Sequence, residues 1–99
     1  MKKNKILTIT ATEYFEMYDK SIKDYDAIGV HEEIQGHPDH LKSIVDSFVS
    51  VVPSDAEAVV GYTETITGIG GGDYRPYQKV IQTAFGTALV PKTEKKRNP

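Results

Sequence analysis

An α+β fold follows from three stretches of this sequence: a small β-α-β-β domain with one amphipathic helix lying on a mostly antiparallel sheet. Leu41, Ile44, Val45, Phe48, Val49 and Val52 recur at the period of a helix with one apolar face. Two runs rich in Val, Ile, Thr and aromatic residues, 56–66 and 78–90, follow it with the composition of strands. Upstream, Tyr25 to Ile34 carries strand-like patches closed by Gln35-Gly36.

Taken in chain order, Ile6-Leu7-Thr8-Ile9-Thr10 reads as a short first strand. Residues 12–20 predict one or two helical turns that Thr12 would cap, although Tyr14, Phe15, Met17 and Tyr18 do not resolve a single apolar face. The main helix is predicted from Pro38 to Val52. His37 stands as its N-cap, Pro38 sits where a missing N–H costs nothing, Asp39 complements the dipole and Pro53 ends the run. Pro53-Ser54-Asp55 is a turn signal. Residues 67–77 then form a connection longer than the usual hairpin loop of about two to five residues. One domain, 1–91, is expected, with a basic tail at 92–99 whose composition predicts disorder.

Composition narrows the function classes. The chain has 99 residues and no cysteine, so disulfides, thiolate metal sites and thiol nucleophiles are excluded. The net charge of −2 hides an acidic body, since residues 6–91 hold five basic and thirteen acidic side chains while the lysines and arginine crowd both ends. Such a body repels phosphate backbones, so no nucleic-acid partner is expected. No apolar run approaches the length of a membrane span, so no membrane partner is expected, and a cytoplasmic location is the default expectation.

The last strand predicts assembly. Ile81, Phe85 and Leu89 alternate with Val80, Ala84, Ala88 and Val90, so both of its faces are apolar, and one helix covers only one. Unless residues 12–20 cover the second face, the simplest cover is another copy of the chain, and a small domain with a thin core gains most from it. Gly61, Gly86, Ala84 and Ala88 are small enough to admit a close backbone or helix approach.

The pattern Asp55-Ala56-Glu57-Ala58-Val59-Val60-Gly61, a following strand, a glycine-rich loop and a closing strand ending Phe85-Gly86-Thr87-Ala88-Leu89-Val90 resembles the YbjQ-like family, once labelled heavy-metal-binding. The resemblance covers residues 38–90, and more loosely 25–36 with Ala27-Ile28-Gly29-Val30. It implies a dodecin-like domain that assembles into a homo-oligomeric ring, commonly a pentamer, with no established catalytic residues to carry over. The chain departs from the family pattern in having only Gln35-Gly36 between its second strand and main helix, and in its longer hairpin loop.

Three places could carry chemistry. All three histidines fall within His31-Glu32-Glu33-Ile34-Gln35-Gly36-His37-Pro38-Asp39-His40, and imidazole with carboxylate suits a divalent metal; His31, Glu33, His37 and His40 are the candidate ligands. Against this stand the spacing of His37 to His40, which is not the i, i+4 pair of a helical zinc motif, and the positive end of the helix dipole. The loop carrying Gly70, Gly71, Gly72, Tyr74, Arg75 and Tyr77 is a candidate ligand lid or intersubunit arm. It is not a phosphate cradle, because a strand rather than a helix follows it. His31 with Glu32 or Glu33 could serve as an acid and base, but adjacent strand residues point to opposite faces. The expectation is a non-enzymatic homo-oligomeric binding or scaffolding protein of unknown ligand, with no cofactor unless a divalent metal. A metal-binding protein is the alternative, and an enzyme the third reading.

Overall fold

The computed structural model describes residues 5–38, 41–70 and 79–92, and its architecture is α+β: a three-stranded antiparallel sheet with two helices. Helix α1 spans Ala11–Met17 and is followed by a 3-10 turn at Ile22–Asp24. Strand β1 spans Tyr25–Gly36, helix α2 Ile44–Val51, strand β2 Ala58–Ile69 and strand β3 Lys79–Pro91. The closing strand lies in the middle, in the order β1-β3-β2.

The N-terminal segment is a strap rather than the predicted strand. Ile6 makes one parallel bridge to Val59; the Leu7 N–H donates to the Val59 carbonyl at 2.9 Å, and the Gly61 N–H donates to the Ile9 carbonyl at 2.7 Å. The short helix after it is capped by Thr10, not Thr12. The Thr10 Oγ1 accepts from the Glu13 N–H at 3.1 Å while the Glu13 carboxylate accepts from the Thr10 N–H at 2.8 Å, a reciprocal capping box. At its other end the Lys20 N–H reaches back to the Phe15 carbonyl at 2.9 Å. Asp19, at φ 53, supplies the left-handed residue that this reversal needs.

Helix α2 begins at Ile44, with Ser43 as N-cap, instead of at Pro38. The cause lies on β3. Gln82, the one buried polar side chain among the described residues, accepts from the Lys42 N–H at 3.3 Å and donates to the Lys42 carbonyl at 2.8 Å. Its amide thus occupies both backbone groups of Lys42 as a neighbouring strand would, and Leu41 and Lys42 stand outside the helix. The expected N-cap, His37, lies between the end of β1 and this segment.

Both strand partners of β3 are in register along its length, with one interruption. Between Val60 and Thr63, Gly61 and Tyr62 together stand opposite Gly86. Gly61 has φ 63, the geometry of a bulge that opens with a left-handed glycine. Gly86 is required on the other side, because a Cβ there would meet Val59 Cγ1 at 2.7 Å and the Val60 carbonyl oxygen at 3.3 Å. The close approach expected of the small residues therefore occurs inside the sheet.

The two faces of β3 are covered differently. On one, Ala84 and Ala88 join Val30 and Val59 beneath Ile44, Phe48 and Val52, with Phe48 fully buried and its ring 4.9 Å from that of Tyr62. On the other, Leu89 packs with Ala58, Val60 and Tyr25 under Tyr14 and Phe15 of α1. Residues 12–20 thus do cover the second face, but only at the base of the sheet. Thr67, Gly68 and Ile69 belong to β2 rather than to the predicted loop. No helix among the described residues is long and apolar enough to cross a membrane.

Candidate functional site

Where α1 meets the sheet, four polar side chains from distant parts of the chain converge. Glu57, just before β2, accepts from the Tyr14 hydroxyl at 2.6 Å and from the Tyr25 hydroxyl at 2.9 Å, and pairs with the Lys20 ammonium at 3.4 Å. Its own N–H is fixed by the Leu89 carbonyl at 2.8 Å. A pocket of about 300 Å³ opens beside the cluster, between Lys5, Leu7, Tyr14, Tyr18, Lys20 and Glu57.

Burial pushes the Glu57 carboxyl up, but the two tyrosine hydroxyls and the Lys20 charge outweigh it and hold the group below its usual range. Burial first, then the hydrogen bond to Glu57, pushes both Tyr14 and Tyr25 above the usual phenol value. Lys20 is raised in turn, by its contacts with Tyr25 and Glu57. At neutral pH the carboxylate is ionised and the phenols are protonated, so each donor already faces its acceptor. Such a cluster fixes charge and geometry.

The second feature is an open sheet face. Beyond Leu89 the side of β3 that carries Thr87, Phe85, Thr83 and Ile81 passes out from under α1. In register beside Phe85 stand His31 on β1 and Thr63 on β2, and Thr65 and Thr67 continue the row on β2. Phe85 is 42% exposed there.

The predicted metal ligands are described only in part. His31 and Glu33 share this open face, two residues apart on β1; His37 follows the strand end, and His40 lies outside the described residues. Among the described residues no three His, Cys, Asp or Glu side chains are gathered as a metal would need. Glu32 points to the opposite face from His31, paired with Ala84. Of the loop candidates, Gly70 follows β2 with φ 85, while Gly71, Gly72, Tyr74, Arg75 and Tyr77 lie outside the described residues, as do residues 93–99 of the expected tail. Sequence reasoning missed the Tyr14, Lys20, Tyr25 and Glu57 cluster. Its members have no mutual spacing, and the density of tyrosine between residues 14 and 25 was the one signal pointing there.

Compared with protein-family models, with curated proteins and with solved structures, the chain finds no match in any of the three.

Proposed function

We propose that the protein is a homo-oligomeric binding or scaffolding domain, without catalytic activity of its own, whose β2–β3 surface is buried against further copies. One observation carries this reading: Phe85 stands 42% exposed at the centre of a sheet face that α1 leaves uncovered. A large apolar side chain presented on a flat face among threonines gains by burial, at about 25 cal/mol per Å² of apolar surface removed from water. The acidic body and the absence of cysteine are compatible with an assembly that works by contact. The YbjQ-like resemblance supports the same reading, with a dodecin-like domain and a closed ring as its more specific form; ring size rests on that resemblance alone. Sedimentation equilibrium with native mass spectrometry tests it. A stable multimer that Phe85→Thr weakens, with an unchanged circular dichroism spectrum, is the expected result. A monomer at high micromolar concentration would sink the proposal.

A further inference from the structure

The edge of the sheet points to a particular seam within that assembly, and the inference rests on the homo-oligomeric reading. Strand β1 pairs with β3 on one side and, among the described residues, with nothing on the other. The direction of its free backbone groups follows from one bond. The Lys92 N–H donates to the Asp24 carbonyl at 2.9 Å, which makes Asp24 and Lys92 a hydrogen-bonded pair just beyond the register Tyr25 to Pro91. Since antiparallel pairs alternate and no bulge interrupts β1, Asp26, Ile28, Val30, Glu32 and Ile34 direct their backbone groups toward β3. Ala27, Gly29, His31, Glu33 and Gln35 direct theirs outward.

This edge is guarded only by the acidic side chains of Asp26, Glu32 and Glu33. It contains no proline and no lysine, and Asp26 to Gly29 are exposed as a continuous run, with Ile28 40% exposed. The opposite edge is different: the strap at Leu7 and Ile9 occupies β2 at its base and the bulge follows.

We propose that a second copy of the chain pairs antiparallel along β1, Val30 opposite Val30, joining two three-stranded sheets into one. Outward groups must meet outward groups, so the two-fold axis passes through a residue rather than between two. Centring on Gly29 sets Asp26 against Glu32, and centring on Ile28 sets Asp24 against Glu32; like charges directly opposite are unfavourable. Centring on His31 opposes two imidazoles. Centring on Val30 pairs Tyr25 to Gln35 throughout with no like charges opposed, and puts a β-branched pair on the axis. The interface is isologous, so it joins copies in pairs and fits a dimer or an even-numbered closed assembly rather than the five-membered ring that the resemblance implies.

Hydrogen exchange on the intact chain tests the seam without any substitution. The outward amides of Ala27, Gly29, His31 and Glu33 are expected to exchange as slowly as their inward neighbours; exchange at solvent-exposed rates would overturn the seam. Gly29→Pro removes an outward donor and no bond to β3, so it is expected to leave the fold intact and reduce the assembly mass to half or less. Ile28→Lys, which charges the same edge, is expected to do the same. An unchanged mass in both variants overturns the seam. A wild-type assembly of odd copy number overturns the seam and leaves the homo-oligomeric reading standing, whereas a wild-type monomer overturns both.

Discussion

Gly86 is where the backbone of this protein has least room. Adding one methyl group there drives it into Val59, a stiff and fully buried side chain, and toward the Val60 carbonyl oxygen. Gly86→Ala is therefore expected to cost about 1–3 kcal/mol, the range for overpacking, seen as a lower urea midpoint at unchanged slope. Glu57 is the corresponding polar position. Its carboxyl is held below the usual range, so the stability it contributes is complete above the unfolded-state value near 4.5 and drains away as the pH falls through the lower folded-state value. Glu57→Gln is expected to remove that acid limb from a plot of stability against pH. At pH 7 it should lose about 1–2 kcal/mol as charge-assisted hydrogen bonds become neutral ones. Nothing in the spacing of Tyr14, Lys20, Tyr25 and Glu57 announces them, because they meet only once α1 is folded back over the base of the sheet.

The elements divide into those with a local cause and those with a distant one. The apolar period of α2 from Ile44 to Val52 and the strand composition of β2 and β3 are local properties, and these elements form where the sequence predicts them, β2 being shifted two to three residues toward the loop. The start of α2 is not local. Pro38 and Asp39 are good opening residues, yet Lys42 is bracketed by Gln82, forty residues away, and the helix waits until Ile44. Replacing Gln82 with Leu is expected to cost about 1 kcal/mol. Its more specific sign is fast hydrogen exchange at the Lys42 amide. In the same way Ile6 to Ile9 has strand composition but becomes a strap, because the bulge turns the Gly61 and Tyr62 N–H groups outward to meet it. Thr10 rather than Thr12 caps α1 because Glu13 completes the box at the third helical position, a pattern visible in Thr10-Ala11-Thr12-Glu13.

At the scale of the molecule the radius of gyration is 17.3 Å, against about 13 Å for a compact globule of this length. The helices gather at one end of a long sheet, and the open face around Phe85 lies beyond them. A chain of this shape that assembles should show a melting temperature rising with protein concentration, since association adds stability by mass action. A melting temperature independent of concentration over two decades would speak against assembly. The apolar alternation of β3 predicts two faces in need of cover; how far α1 reaches over the second is set by packing and could not be read from it. The two residues set against Gly86 have one more effect. Before them Ala58 and Val60 lie on the side that α1 covers; after them Thr63, Thr65 and Thr67 take that side where it is open, so the bulge reverses the parity of the strand. The distal hairpin can therefore grow or shrink by matched pairs of residues and keep its threonine row outermost. Deleting Gly61 or Tyr62 alone would turn that row under and bring Glu64 and Ile66 to the open side.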